Sequence, residues 1–362
     1  MLPVPRTAAW WLSALAVCTT AHAGDLDAQF SGYGTVAATY ADTHAAAYRT
    51  SWQQSRGSRG KVDAGVDSRV GMQLDLSFDD TFSATGQALA QRLGDRGKVT
   101  AEWLYAQAQV TPETVVRAGR LVLPAFMLSD VRNVGYSQHW AHTPYEVYLT
   151  FPAVDGAQLL WRDSWQGVRF SVQPTVGRAE ADMYYERGAT GLTPARTVFH
   201  RLYGLSVTAE KGPWTARLGY TGADATIEWS TMPAEPLKYT FSSLGLQYDD
   251  GHLMAMAEMM IGKTDTAHYD IAGQYVTAGY RLGSWMPYAT LAWLDYEGTA
   301  FSRLPDARTS AVGVRWDVVK DVAVKAQLER ARYSGQQFID VTPGTDPRKS
   351  ASVGTLSVEF VF

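Results

Sequence analysis

Arginine and acidic side chains are the groups in this sequence that could act on a solute. Asp130, Arg132 and Glu146 lie within the stretch 122–154. Five more arginines come from the segments around it: Arg69, Arg117, Arg162, Arg169 and Arg217. Guanidinium pairs with carboxylate through two parallel hydrogen bonds, so a row of arginines opposite Asp130 and Glu146 would favour anionic solutes such as carboxylates. The alternative is that these arginines pair with neighbouring acids and stiffen the fold, because buried charges need partners.

Two histidines and a serine in the same stretch could belong to a metal site or a hydrolase. His139 and His142 are three residues apart, but no nearby cysteine or paired carboxylate completes a tetrahedral ligand set. Ser137 lies near His139, although a catalytic triad depends on geometry that spacing alone cannot supply. The sequence therefore predicts no metal, no cofactor and no enzyme activity, and a hydrolase remains an alternative.

The stretch 122–154 shows neither the period of a strand nor that of a helix. It lies between two short alternating segments, 115–121 and 156–162, and is too aromatic and apolar for a disordered linker. A loop of this length within a compact domain is usually functional. Its aromatic residues are Phe126, Tyr136, Trp140, Tyr145, Tyr148 and Phe151. We expect them either to contact a solute or to pack the loop against its surroundings.

Strand patterns dominate the rest of the chain. Apolar and polar residues alternate, as in 69–78, so that each set lies on its own face. Seven short polar turns are predicted at 79–81, 111–114, 163–167, 211–213, 249–252, 283–284 and 319–321. Eight longer loops are predicted at 41–67, 92–100, 122–154, 178–200, 222–237, 263–270, 296–307 and 332–349. Seven turns and eight loops imply sixteen strands, with short turns at one rim and long loops at the other, as in outer-membrane barrels.

The charged residues of the strands fall mainly on one phase of the alternation. Lipid would penalise an outward Arg or Lys by roughly 2–4 kcal/mol near the midplane, so this phase is predicted to face a polar lumen. The predicted lumen bases are Arg69, Arg117, Arg162, Arg169, Arg217, Arg281, Arg315 and Lys325. The predicted lumen acids are Asp75, Glu102, Glu210, Asp249, Glu258, Asp317 and Glu329. The two sets nearly balance, so position rather than number would decide any ion preference.

The two ends of the chain indicate export. Residues 1–23 have the charged, apolar and A-x-A segments of a secretory signal peptide, and a lipoprotein signal at Cys18 is the alternative. The chain from 24 to 362 would then have no cysteine. The terminal strand places Leu356, Val358, Phe360 and Phe362 on one face. The formal net charge of −4 argues against a nucleic-acid partner.

Several segments resemble one family of membrane proteins. They are 67–71 (DSRVG), 117–121 (RAGRL), 127–136 (MLSDVRNVGY), 144–148 (PYEVY) and 155–156 (DG). This pattern is similar to Gram-negative outer-membrane porins of the general diffusion and dicarboxylate types. The resemblance implies that 122–154 folds inward as a constriction loop and that the barrels assemble as homotrimers. It also implies that the final aromatic strand is an assembly signal for the outer membrane.

We therefore predict an all-β fold, a 16-stranded antiparallel transmembrane β-barrel with an inward-folded third loop. The signal peptide would be removed and 24–362 would form the barrel in the outer membrane, surrounded by lipid. The predicted function is a porin that passes small hydrophilic solutes passively, with a preference for anionic ones. The alternatives are an outer-membrane hydrolase and a structural barrel that does not conduct, although sixteen strands are difficult to fill.

Overall fold

The computed structural model describes residues 20–23, 26–148, 152–186, 192–266, 268–297, 306–332, 337–340 and 350–362. The first nine strands are β1 (Thr20–Ala23), β2 (Leu26–Ala41), β3 (Ala46–Tyr48), β4 (Arg69–Ser77), β5 (Phe82–Leu93), β6 (Arg96–Thr111), β7 (Thr114–Leu121), β8 (Val154–Trp165) and β9 (Val168–Glu186). The others are β10 (Leu192–Lys211), β11 (Trp214–Trp229), β12 (Glu235–Asp249), β13 (Leu253–Thr264), β14 (Ile271–Tyr280), β15 (Trp285–Tyr296), β16 (Ala307–Val319), β17 (Val322–Arg332), β18 (Phe338–Asp340) and β19 (Ser350–Val361).

Sixteen of these strands close into one antiparallel barrel. They are β2, β4 to β17 and β19, each hydrogen-bonded to its neighbours in chain order. The barrel closes where β19 pairs with β2, with Phe360 opposite Gly34. The short β1 pairs with the start of β2, and β3 and β18 form a separate two-stranded sheet. The predicted strand count and antiparallel order are confirmed.

The alternation of burial identifies the inner face of the barrel. On β17 the side chains of Lys325, Gln327 and Glu329 are buried, whereas Leu328 between them is 58% exposed. In a closed barrel the buried face is the interior, and the exposed apolar face is the one that suits lipid. The charged phase that the sequence assigned to the lumen therefore lies inside.

Aromatic residues mark the short-turn rim on the outer face. Phe78, Phe82, Trp214 and Trp285 are 46–54% exposed, and the rings of Trp285 and Trp316 stack with their centroids 4.9 Å apart. Such a girdle is typical of the membrane–water interface.

The C-terminal residue completes this rim. The backbone N–H of Phe362 donates to the carbonyl oxygen of Gly32 over 2.9 Å, and the Gly32 N–H donates in return over 2.8 Å. The Phe362 ring lies above Gly32, where any side chain would collide with it. Within the described residues no helix is long and apolar enough to cross a membrane. Residues 1–19 of the predicted signal peptide lie outside the described part of the chain.

The connections confirm all seven short turns but correct three of the longer loops. Strands continue through most of the predicted loops 92–100, 178–200 and 222–237. In β9, for example, Ala179 and Ala181 are buried while Arg178 and Asp182 are exposed. The alternation persists there with charged residues on the outer face. That pattern fits strands that extend beyond the membrane, so the loops predicted over these three ranges were too long.

Candidate functional site: the lumen and its third long loop

The segment 122–153, here called the third loop, first follows the inner face of β11 to β13. Arg217 of β11 donates a hydrogen bond to the carbonyl oxygen of Phe126. The backbone N–H of Met127 donates to Glu258 Oε1 of β13 over 2.8 Å. Because these wall residues belong to the buried phase, the loop lies inside the barrel at this point. Residues 149–151 of the loop are outside the described part.

The middle of the third loop extends across the lumen. Asp130 Oδ2 lies 3.5 Å from Arg217 Nη2 on β11. Arg132 Nη2 and Asn133 Nδ2 donate to Glu102 Oε2 on β6, over 2.9 and 3.2 Å. Two 3₁₀ helices, Ser129–Val131 and Gly135–Ser137, compact this part of the chain. The loop is thus attached to two strands that lie far apart around the barrel.

A buried lysine holds the next part of the loop. Lys325 Nζ of β17 is fully buried and donates to the carbonyl oxygens of Gly135 and Trp140, over 2.6 and 2.8 Å. Glu359 Oε1 of β19 lies 3.6 Å from the same ammonium group. A side chain at Gly135 would collide with Glu359 and Thr35, so the close approach of loop and wall requires glycine here. Sequence analysis placed Lys325 inside but gave it no partner.

The last part of the loop is held between two carboxylates. His142 Nε2 lies 3.1 Å from Glu329 Oε2, and its Nδ1 lies 3.6 Å from Asp67 Oδ2. Burial alone would lower the pKa of His142, but the two carboxylates raise it to about 10. Tyr48 Oη also lies 2.8 Å from His142 Nε2. Asp67 and Tyr48 belong to the loop 42–68, which therefore contacts the third loop from the long-loop side.

Sequence analysis did not predict that contact. The Trp52 indole N–H donates to the Tyr145 hydroxyl, and Arg49 donates to the Tyr184 carbonyl oxygen over 2.7 Å. Arg49 and Tyr48 are fully buried. A large aromatic such as Tyr48 or Trp52 in an otherwise polar loop is the signal that could have indicated an inward fold.

The opposite wall remains open. Among the described residues β6 has no buried side chain, and on β4 only Gly71 is buried. Arg117 of β7 faces this space. Its Nε donates to Gln107 Oε1 over 3.1 Å, and its guanidinium carbon lies 5.3 Å from the centre of the Tyr105 ring. The third loop therefore fills one side of the lumen and leaves polar and aromatic side chains accessible on the other.

The remaining predicted arginines lie on this open side with different partners. Arg69 and Arg132 line the same open cleft, of about 180 Å³. Arg169 pairs with Glu210 over 2.6 Å, close to the short-turn rim. Arg162 is exposed at the end of β8. Within the described part of the chain, Arg69, Arg117 and Arg162 form no ion pair within 4 Å.

Glu146 does not lie opposite the arginines, and this placement from sequence was wrong. Its side chain is almost fully buried and accepts a hydrogen bond from the Thr309 hydroxyl of β16. Burial raises the pKa of the Glu146 carboxyl to about 7. The third loop turns back to the wall before this residue, so two acids of one loop have different surroundings. Of these two acids of the third loop, Asp130 is the one that faces an arginine of the row.

The serine and histidines of the third loop do not form a triad. The Ser137 hydroxyl donates to the Val134 carbonyl oxygen over 2.7 Å, and His139 Nε2 lies 3.2 Å from Thr277 Oγ1. His142 has the carboxylate partners described above. In the part of the chain that the structure describes, no three His, Cys, Asp or Glu side chains come together as a metal site.

A family model decides the identity of this barrel. The sequence model of the Gram-negative porin family matches residues 9–336 of this chain. The chain belongs to the Gram-negative porin family. No curated protein sequence matches this porin.

Solved structures with the same fold include several outer-membrane proteins. The anion-selective porin from Comamonas acidovorans is 14% identical with a TM-score of 0.59, over 93% of this chain and 100% of its own. OmpF of Salmonella typhi, in complex with daunomycin, is 9% identical with a TM-score of 0.60, over 95% and 100%. The trimer form of OmpT from Vibrio cholerae is 12% identical with a TM-score of 0.58, over 93% and 99%. At these identities the similarity establishes the fold.

Family and fold together define the general role of the chain. The porin is an outer-membrane channel protein built on a closed 16-stranded barrel. Short turns form one rim of the barrel, which in outer-membrane barrels faces the periplasm.

Proposed function

We propose that this porin forms a water-filled channel through which small hydrophilic solutes diffuse passively, with a preference for anions such as carboxylates. The third loop, predicted from sequence as 122–154, acts as the constriction. The channel follows the side of the lumen next to β4 and β6, where the inward side chains of the described residues stay accessible. A channel of this kind needs water, a narrow zone and a bias of charge.

One observation carries the anion preference: Arg117 and Arg69 face the open space without an ion pair among the described residues. Asp75, an acid of the same wall, accepts hydrogen bonds from Gln73 and Thr85, over 2.7 and 2.6 Å. It lies nearer the short-turn rim. Guanidinium groups that lack a protein carboxylate can pair with the carboxylate of a solute.

The proposal includes assembly and export. We propose a homotrimer, supported by the trimer form of the Vibrio cholerae protein with the same fold. Residues 1–23 are cleaved during export, supported by the order of their charged, apolar and small residues. Mass spectrometry of the protein purified from outer membranes would give the mature N-terminus, and cross-linking would give the number of subunits.

Conductance across a planar bilayer tests the channel and its preference together. Purified protein, shown to be folded by its heat-modifiable migration, is added to one side, and the reversal potential is measured in a KCl gradient. Stable conductance steps with a reversal potential toward that of chloride are expected. Conductance steps with a preference for potassium would support the channel but refute the anion preference. No conductance from folded protein would refute the channel and favour a structural barrel or a hydrolase.

A further inference from the structure

Three methionines lie together on the inner wall near the short-turn rim. Met254 and Met256 of β13 and Met286 of β15 are each at most 5% exposed. They line a cavity of about 360 Å³ beneath the third loop, together with His139 of that loop. The lumen of an outer-membrane barrel is usually polar. Three thioethers and an imidazole around one cavity therefore require an explanation.

Strand register places Met254 and Met286 on the two strands that flank Gly279. Met254 pairs with Gly279 across β13 and β14, and Gly279 pairs with Tyr288 on β15. Gly279 has no side chain to separate its neighbours. The terminal methyl group of Met286 lies only 2.8 Å from the position that a β-carbon at Gly279 would take. Met254 thus lies across from Gly279 on one neighbouring strand, and Met286 covers Gly279 from the other; both line the cavity.

His139 reaches the same cavity from the third loop. Its ring lies against Trp140 with centroids 3.7 Å apart, and edge-on to Tyr288 at 5.1 Å. His139 Nε2 lies 3.2 Å from Thr277 Oγ1. Thr277 pairs with Met256 across β13 and β14.

We propose that Met254, Met286 and His139 bind a soft monovalent metal ion, copper(I) or silver(I), with Met256 beside them. Thioether sulfur selects soft ions, and imidazole is a common partner ligand. Met256 is the weaker candidate because its sulfur already accepts a hydrogen bond from the Tyr275 hydroxyl over 2.8 Å.

The charges around the cavity fit a soft monovalent ion better than a hard divalent one. Arg281 pairs with Asp249 over 2.6 Å, and Arg315 pairs with Asp317 over 2.8 Å. Both carboxylates are therefore neutralised by arginine, and hard cations such as Mg²⁺ prefer free carboxylate oxygens. A bound ion here would rely on polarizable sulfur rather than on net negative charge.

Titration with silver nitrate tests this site on the whole folded barrel. Silver(I) serves as a stable substitute for copper(I), and the detergent solution contains no chloride. Isothermal calorimetry is expected to show one saturable site per chain. The double variant Met254→Leu, Met286→Leu should weaken binding at least tenfold, because leucine keeps the volume but removes the sulfur. His139→Gln should weaken it in the same direction.

The same strand offers a matched control. Met259 lies on the outer face of β13 and is 41% exposed, so Met259→Leu should leave silver binding unchanged. Two results would overturn the proposal: no saturable binding by the wild-type barrel, or equal affinities of the double variant and the wild type. If the double variant fails to fold, the single variants Met254→Leu and Met286→Leu provide the same comparison. The site does not depend on the ion preference of the channel.

Discussion

Replacement of Arg117 by glutamine tests whether this arginine sets the ion preference of the channel or mainly stiffens the barrel wall. Arg117 hydrogen-bonds to the neutral Gln107 side chain and lies over the Tyr105 ring. No acid among the described residues lies within ion-pair distance of it. Its charge is therefore available to a solute in the channel. Loss of one hydrogen bond to a neutral group costs only about 1 kcal/mol, so Arg117→Gln should alter ion preference far more than stability.

The size of the effect follows from Coulomb's law. An ion passing about 7 Å from the guanidinium group in water interacts with it by about 0.6 kcal/mol. Screening at about 0.1 M salt, where the Debye length is near 10 Å, reduces this to about 0.3 kcal/mol. This interaction stabilises a passing anion and destabilises a passing cation by the same amount. Loss of Arg117 should therefore lower the ratio of anion to cation permeability by about two- to threefold.

The assay is the reversal potential in a KCl gradient at low ionic strength, repeated at about 1 M salt, where screening should remove most of the difference. Arg330→Gln is the matched control, because Arg330 also carries one positive charge but lies on the outer phase of β17, bonded to Ser352. Equal permeability ratios for wild type and Arg117→Gln, or an equal change in Arg330→Gln, would refute the reasoning. A large loss of thermal stability in Arg117→Gln would favour stiffening instead.

Three further predictions concern how the third loop is held. Gly273→Ala should destabilise the barrel by about 1–3 kcal/mol in urea unfolding, because its methyl group would collide with the Glu146 carbonyl oxygen, whereas Gly354→Ala enters open space and should be neutral. His142→Gln should cost about 3–5 kcal/mol in the same assay, because it leaves buried carboxylates without their cation. The pKa of His142 is raised from 6.5 to about 10. The charged imidazole therefore stabilises the folded barrel fully below pH 6.5, and this stabilisation is lost as the pH rises through 10. Wild-type unfolding temperature should therefore fall at alkaline pH, and an equal fall in His142→Gln would contradict this assignment.

The barrel itself could be predicted because lipid on its outer face and a polar lumen on its inner face require apolar and polar residues to alternate along each strand. On β17, Lys325 and Glu329 can face only a polar interior, and Leu328 can face lipid. A shift of one residue would reverse every side chain, so the sequence determines the phase strongly. Short polar turns between such strands then fix the count at sixteen. The outer-face aromatics, such as Trp285, mark the rim for the same physical reason.

The arrangement inside the barrel could not be predicted in the same way. Spacing places Asp130 and Glu146 in one loop, but it does not show that the loop returns to the wall before Glu146 and buries it against Thr309. The contact between Asp67 and His142 joins loops 75 residues apart in sequence, and no local pattern reports it. The strand ends beyond the membrane were also missed. Outside lipid, residues such as Arg178 can face outward on a strand.

The loop contacts determine which charged side chains of a nearly balanced lumen have a protein partner. The inward bases and acids of the strands are almost equal in number, but the third loop takes several acids out of the open space. Glu102 is paired with Arg132 and Glu329 with His142, both cations that the loop itself supplies. Glu258 is buried where it accepts the Met127 N–H. Cations brought by the loop thus pair with wall acids, whereas Arg69 and Arg117 on the open side form no ion pair among the described residues. The polarity of such a pore therefore depends on where the loop is attached as much as on the composition of the strands.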